Sequence, residues 1–202
     1  MLARLYWDAD DFVNAAKHAR RAVELDSQDP DPLLVLADLA SRSGRLSETF
    51  DMLAKARLLM PHDVTLELKE GIERQRAGQL EAARDAYKKA VSLDPKSEAG
   101  HSNLAFVLFD LNEVDDALVH WNAALEINPG SADSLAGKAI ALASKGETDA
   151  ALEAYGTATL RDSRFFEPAK MQEDFFWSST ACKAAERLIS HLRLGQAQRT
   201  AS

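Results

Sequence analysis

Residues 98–131 of this chain read EAGHSNLAFVLFDLNEVDDALVHWNAALEINPGS, which is two amphipathic stretches joined by a short polar turn. Each stretch has the length and the spacing of apolar residues expected of an α-helix. Pro129 follows Pro95 by 34 residues, and Pro95 follows Pro61 by the same interval. A second column at this interval contains Gly44, Gly78, Asn112 and Gly146. Glycine and asparagine adopt positive φ readily, so this column predicts the turn that ends one helix before the next begins.

Two further columns repeat at the same interval inside and before the helices. Small residues recur at Ala15, Thr49, Ala83, Ala117, Ala151 and Ala185. Residues that can cap a helix N-terminus recur at Asp29, Asp63, Ser97 and Ser131. Because closely packed helices leave no room for large side chains where they touch, the small column predicts helices paired side by side.

These columns together resemble the tetratricopeptide repeat, a helix–turn–helix unit of about 34 residues. In 98–131 the family's packing positions are held by Leu104, Ala105, Leu108, Ala117, Trp121, Ala124 and Pro129. The resemblance implies an all-α fold, a right-handed superhelical solenoid of antiparallel helix pairs. We expect a partial first repeat at 1–29, repeats at 30–63, 64–97, 98–131 and 132–165, a capping helix pair at 166–194 and a disordered tail at 195–202.

The repeat at 64–97 departs from the family pattern in its first helix. Glu67, Glu70 and Arg74 stand where apolar packing residues are expected. Glu70 and Arg74 can pair across one helical turn, but an exposed pair stabilises a helix by only ~0.3–0.5 kcal/mol. This helix is either rotated, with Leu66, Leu68 and Ile72 as its apolar stripe, or it is the weak point of the array.

The composition excludes two classes of partner. The 202 residues include 24 Lys and Arg against 32 Asp and Glu, which gives a net charge of −8. Nucleic acids and anionic membranes both select a basic surface, so neither is expected as a partner. Cys182 is the only cysteine, which is compatible with a reducing compartment, and we expect a cytoplasmic location.

Reactive side chains do not converge at helical spacing. None of the five histidines lies three or four residues from another histidine or from the cysteine. Cys182 precedes Lys183 near a predicted helix start, and we interpret it as a packing residue rather than an activated thiol. We interpret His101 as structural. The sequence therefore predicts no enzymatic activity, no metal ion and no cofactor.

In the tetratricopeptide family, the first helices of successive repeats line a concave groove that binds peptides. The register implies a partner-binding groove here made of Val35, Asp38, Arg42, Lys69, Ile72, Arg76, Asn103, Phe106, Phe109, Ile140 and Trp177. The family's carboxylate clamp is not matched, because Ile72, Phe106 and Gly137 occupy positions where it has polar or basic residues. We therefore expect a protein or peptide ligand that is an amphipathic helix or an extended apolar segment.

Three questions stay open from the sequence. Phe106 and Phe109 face either the groove or the core. The chain functions either as a free-standing interaction scaffold or as a regulatory or substrate-recruiting arm of a larger enzyme such as a transferase. A self-assembling scaffold, and so a homo-oligomer, is a further alternative, because Leu2, Leu5 and Tyr6 of the partial first helix could contact another copy.

Overall fold

The computed structural model describes residues 2–175 and 177–200, which form α-helices and one 3-10 helix and contain no strand. The helices in chain order are α1 (Leu2–Asp8), α2 (Phe12–Leu25), α3 (Asp31–Arg42), α4 (Leu46–Leu59), α5 (Val64–Arg76), α6 (Leu80–Leu93), α7 (Glu98–Asp110), α8 (Val114–Ile127), α9 (Ala132–Ser144), α10 (Thr148–Arg161), α11 (Pro168–Phe175) and α12 (Ser179–Thr200). The 3-10 helix, Ser163–Phe166, lies between α10 and α11.

Consecutive helices pack as antiparallel pairs, α1 with α2 through to α9 with α10, and the pairs stack into the right-handed solenoid predicted from the sequence. First helices of successive pairs also contact one another, at α1 and α3, α5 and α7, and α7 and α9. Helices that touch across successive units lie on the inner side of a curved array. The first helices therefore form the concave face.

The predicted turns and caps hold the pairs together. Gly44, Gly78 and Gly146 have φ of 69°, 72° and 82°, and Asn112 in the same column has φ of 64°. The side chains of Asp63, Ser97 and Ser131 each accept a hydrogen bond from the backbone N–H three residues later, as N-caps do. Asp29 is an exception, because α3 begins one residue later than expected and Asp29 accepts from the N–H of Asp31.

The apolar core is continuous only in the C-terminal part. One large cluster extends from Ala83 of α6 to Ile189 of α12, whereas α1 to α5 contain two small clusters. Helix α5 lies between these regions and buries Glu67, Glu70 and Glu73.

Cations from the neighbouring helices pair with two of these buried acids, Glu67 and Glu70. Arg57 of α4 donates to both Glu67 and Glu70, and Lys89 of α6 donates to Glu67 at 2.6 Å. The exposed Glu70–Arg74 pair expected from the sequence is therefore part of a buried network, in which Arg74 lies 3.3 Å from Glu70. Helix α5 keeps the family's inward positions, with Leu66 buried and Leu68 and Ile72 half-buried, because α4 and α6 supply the charges that its glutamates need.

The C-terminal helices depart from the predicted capping pair at 166–194. Helix α11 begins at Pro168 and ends at Phe175, and Trp177 lies outside both helices. Helix α12 contacts α9 and α10, and it also reaches α7. Part of the concave face is therefore covered by the chain itself.

The disordered tail predicted from residue 195 is wrong as far as residue 200, because α12 continues through Gly195 to Thr200. One glycine in a helix costs only about 1 kcal/mol relative to alanine, and the residues that follow, Gln196 to Gln198, are helix formers. Residues 201 and 202 lie outside the described residues.

Within residues 2–175 and 177–200, the helices are too short or too polar to cross a bilayer. The same part of the chain contains no group of three or more His, Cys, Asp or Glu side chains placed to hold a metal ion.

Candidate functional site

The concave surface of α3 and α5 carries charged residues that neutralise one another. Asp38 of α3 forms an ion pair with Lys69 of α5. Ser41 of α3 donates to Glu73 at 2.5 Å, and Arg76 lies 2.9 Å from the same carboxylate. The predicted groove residues Lys69 and Arg76 are thus both paired with carboxylates, which reduces the charge that they offer to an acidic ligand.

Two predicted groove residues of α3 instead pack against the first repeat. The Arg42 guanidinium lies over the rings of Phe12 and Trp7, at 4.4 and 5.6 Å from their centroids. Val35 is buried in a cluster with Ala3 of α1. It also lines a cavity of about 740 Å³ between α1, α2 and α3.

A small pocket lies on the concave face between α5 and α7. Its volume is about 210 Å³, and it is lined by Ile72, Gln75, Tyr87, Asn103, Phe106, Asp133 and Asp174. The Tyr87 hydroxyl donates to the side-chain carbonyl of Gln75 at 3.1 Å, which holds the amide in place. This pocket brings together the predicted residues Ile72, Asn103 and Phe106.

The predicted groove residues Phe106, Phe109 and Ile140 lie in an aromatic cluster that Trp177 covers. The Phe106 ring lies 5.0 Å from the Trp121 ring and 4.9 Å from the Trp177 ring, between centroids. Phe109 lies 6.0 Å from Trp121. Phe106, Phe109 and Trp177 are only 6%, 7% and 2% exposed, and Ile140 is fully buried in the same cluster. Both phenylalanines thus pack with the core residue Trp121 in this structure.

Two carboxyl groups, those of Asp110 and Asp133, hold the covering segment. Asp133, in the first turn of α9, accepts hydrogen bonds from Trp177 Nε1 at 3.1 Å and from Ser102 Oγ at 2.9 Å. Asp110, at the end of α7, accepts from Ser178 Oγ at 2.5 Å. Burial raises the pKa of Asp133 to about 6 against the effect of its donors, and burial raises the pKa of Asp110.

The large second-helix aromatics reach the first helices through glycines. A Cβ on Gly71 would lie 2.3 Å from Tyr87, and a Cβ on Gly137 would lie 2.3 Å from Trp121. The Trp121 indole N–H is buried and, among the described residues, is the one buried side-chain N or O atom without a hydrogen-bond partner. These glycines allow the aromatic rings to approach the concave side.

A histidine pair that no helical spacing predicts joins α7 and α8. Nδ1 of His101 lies 2.9 Å from Nδ1 of His120, and Nε2 of His101 lies 3.2 Å from the carbonyl oxygen of Pro95. Because that carbonyl can only accept, His101 donates through Nε2 and accepts at Nδ1 from His120. This arrangement agrees with the structural interpretation of His101.

Cys182 agrees with its packing interpretation. Its side chain is buried, and its sulfur lies 3.7 Å from the carbonyl oxygen of Pro168. Burial raises the pKa of its thiol, with Glu186 and Asp110 contributing in the same direction. A thiol with a raised pKa is a poor nucleophile near neutral pH.

Sequence reasoning missed Asp133 as a site residue for a physical reason. An acidic residue in the first turn of a helix is ordinarily explained by the helix dipole. Its contact with Trp177 joins residues 44 positions apart, which no 34-residue register predicts. Gln75 could be assigned to the groove from the sequence, because it lies one turn after Ile72 on the same helix face.

Comparisons with known proteins agree with this architecture. A family model described as TPR repeat matches residues 76–111, and one described as Tetratricopeptide repeat matches residues 102–165. No curated protein matches the chain.

Solved structures of the same fold extend the likeness over most of the chain. A structure of MamA is 20% identical with a TM-score of 0.73, covering 81% of this chain and 96% of that one. YrrB, described as a TPR protein with an unusual peptide-binding site, is 21% identical with a TM-score of 0.68, over 85% of this chain and 88% of that one. Pseudomonas aeruginosa pilF is 17% identical with a TM-score of 0.73, over 91% and 85%.

The two family models describe a repeat of the kind that the 34-residue columns predict. The structure has the stacked helix pairs and the left-handed turns of that repeat. Residues 76–165 match the models of the tetratricopeptide repeat family, and the rest of the described chain continues the same stacked helix-pair fold.

Proposed function

We propose that this chain is a non-catalytic, cytoplasmic scaffold that binds a peptide or helix of a partner protein on the concave face of α3, α5 and α7. The observation that carries the proposal is the pocket of about 210 Å³ between α5 and α7. Its residues Ile72, Gln75 and Asn103 are only half-buried, so a ligand can reach them. The peptide-binding site described for YrrB is consistent with such a use of the fold.

The chemistry of this pocket suits an apolar side chain on a segment with free backbone groups. Ile72 and Phe106 supply apolar surface, while the amides of Gln75 and Asn103 can bond a peptide backbone. The nearby cations Lys69 and Arg76 are engaged by Asp38 and Glu73. Recognition of an acidic terminus by a carboxylate clamp is therefore not part of the proposal.

A photo-crosslinking residue placed at position 103 tests this assignment. Asn103 lies in the pocket, whereas Val119 of α8 is 63% exposed on a second helix and serves as the matched control position. We expect one partner to crosslink from position 103 and not from position 119. Equal labelling from both positions, or a partner that crosslinks only from position 119, would remove the concave face as the binding site.

Once a partner is identified, Ile72→Ala measures the contribution of the pocket. Truncating an anchor residue in an interface typically costs ~1–2 kcal/mol, roughly 5–30-fold in affinity. Val119→Ala is the control and should leave the affinity unchanged. Isothermal titration of both variants checks this, with circular dichroism to confirm that each is folded.

Self-assembly remains a second candidate because of the first repeat. Leu2 and Leu5 are 57% and 56% exposed and line the cavity between α1, α2 and α3. Light scattering across a dilution series distinguishes the two functions. A monomer at every concentration would exclude self-assembly.

A further inference from the structure

Trp177 and Ser178, which directly precede α12, lie on the concave face in the manner of a bound peptide. Trp177 and Ser178 are not helical. The Trp177 ring packs against Phe106 of α7, and its centroid lies 5.7 Å from that of Phe165 in the 3-10 helix. An aromatic anchor buried between first helices, next to a non-helical residue, resembles the way in which a peptide places its anchor side chains in a groove.

Each of the two side chains, Trp177 and Ser178, donates a hydrogen bond to a different carboxyl group. The indole N–H of Trp177 donates to Asp133, and the hydroxyl of Ser178 donates to Asp110. A buried carboxyl group that loses a donor is left with an uncompensated desolvation cost. Asp133 therefore favours an indole over a phenyl ring, because phenylalanine has the apolar surface but not the N–H.

The occupied subsite is continuous with the open pocket. Phe106 and Asp133 contact Trp177, and both also line the pocket that contains Ile72 and Asn103. A segment bound along α5 and α7 would therefore meet Trp177 at its next anchor position.

Among residues 168–174 of α11, one side chain is buried, that of Met171, while those of Gln172, Glu173 and Asp174 are exposed. Residues with few buried contacts add little to the free energy of local opening. Residues 168–174 therefore oppose the release of Trp177 only weakly.

We propose that Trp177–Ser178 is an intramolecular ligand of a tryptophan-binding subsite formed by Phe106, Asp110 and Asp133. A partner segment with the same chemistry, a tryptophan followed by serine or threonine, binds there by displacing it. The proposal rests on the proposed function and adds the side-chain chemistry of the partner and an autoinhibitory contact.

The test uses the full chain and a peptide of its own sequence, DFFWSSTA, which is residues 174–181. A tethered ligand competes at an effective concentration of order millimolar, so removing it should unmask the subsite. We expect the labelled peptide to bind the Trp177→Ala chain about tenfold or more tightly than it binds the wild-type chain. Fluorescence anisotropy measures both affinities.

Two matched peptides test the chemistry of the subsite. A peptide with Trp177→Phe and one with Ser178→Ala should each bind the Trp177→Ala chain more weakly than the parent peptide, with the larger loss for the first. Adding Asp133→Ala to the Trp177→Ala chain should abolish the preference for tryptophan over phenylalanine. Equal binding of all three peptides to the Trp177→Ala chain would overturn the proposal.

The Trp177→Phe chain covers the case in which Trp177→Ala fails to fold. It retains the apolar packing and loses only the donor to Asp133, so it should bind the parent peptide more tightly than the wild type does. Hydrogen exchange on the wild-type chain provides a second measurement, since the peptide should speed exchange in α11 and at the start of α12.

The outcomes separate this inference from the proposed function. If position 103 crosslinks a partner while the Trp177 variants and the wild type bind the peptide equally, the scaffold function stands and the subsite assignment fails. If the wild-type chain forms a dimer that the peptide cannot compete with, the occupant is a second copy and the proposal of a separate partner fails.

Discussion

Helices α5 and α7 have 13 residues each and occupy equivalent places in successive repeats, yet they bury opposite kinds of side chain. Helix α5 buries Glu67, Glu70 and Glu73, while α7 buries a run of apolar residues that includes Phe106. The register fixes which positions face inward in both. The neighbouring helices decide what those positions can hold, because α4 and α6 provide Arg57 and Lys89 to α5.

The largest difference between the two helices is expected at one shared register position, which is Ile72 in α5 and Phe106 in α7. Phe106→Ala should lower the free energy of unfolding by ~3–5 kcal/mol, because the ring is buried between Trp121 and Trp177. Ile72→Ala should cost only ~1–2 kcal/mol, since Ile72 is half-buried beside an open pocket. Urea denaturation of both variants checks the difference, and equal losses would mean that the pocket is closed in solution.

The two glycines that contact the second-helix aromatic rings, Gly71 in α5 and Gly137 in α9, should respond alike to substitution. Gly71→Ala and Gly137→Ala each place a methyl group against a ring and should cost ~1–3 kcal/mol. Gly156→Ala in α10 is the control, since its Cβ would lie 3.8 Å from Leu192, and it should be neutral or stabilise by up to ~1 kcal/mol. A stabilised Gly71→Ala variant in thermal melts would show that α5 is loosely packed on Tyr87.

The buried ion network of α5 should contribute less than the aromatic core of α7. Glu67→Gln removes the charge that Arg57 and Lys89 share and should lower the free energy of unfolding by ~1–2 kcal/mol. Glu48→Gln breaks an exposed pair with Arg45 and should change it by less than ~0.5 kcal/mol. Denaturation at low and moderate salt measures both, and a Glu67→Gln chain as stable as wild type would make the network dispensable.

The smallest effect is expected from the histidine pair between α7 and α8. Burial lowers the pKa of His120, and His101 acts in the same direction. At this histidine the unfolded chain therefore takes up a proton first as the pH falls below about 6.5, so the contribution of His120 to stability falls from pH 7 to pH 5.5. His120→Gln should show a smaller loss over this interval than wild type, by chemical denaturation at both pH values. An identical loss in the two chains would assign the pH dependence to other groups.

Repeat geometry was predictable because it follows from local rules. The column containing Gly44 and Asn112 requires positive φ, and the caps at Ser97 and Ser131 require only neighbouring N–H groups. The inward direction of Glu67 also followed from register.

Contacts between distant residues could not be read from the period. The expectation that Glu70 is exposed was wrong, because Glu70 is buried and pairs with Arg57 of another helix. Whether Phe106 faced groove or core depended on Trp177, which lies 71 positions later and outside the helices that form there. The sequence also did not show that part of the groove is covered, because this depends on where α12 lies.

The contact of Ser178 with Asp110 has a consequence for how the molecule unfolds. Repeat arrays usually unfold unit by unit, because each repeat contacts only its neighbours. Here a hydrogen bond joins residues 68 positions apart and ties α7 to the start of α12. While Ser178 holds this contact, the helices from α7 to α12 should therefore open as one cooperative block, whereas α1 to α4, whose apolar clusters are small, can fray independently. The array is in this way divided into a mechanically stiff part and a weaker part. A pulling force applied to both ends should therefore unfold the first two helix pairs before it disrupts the contacts of Trp177.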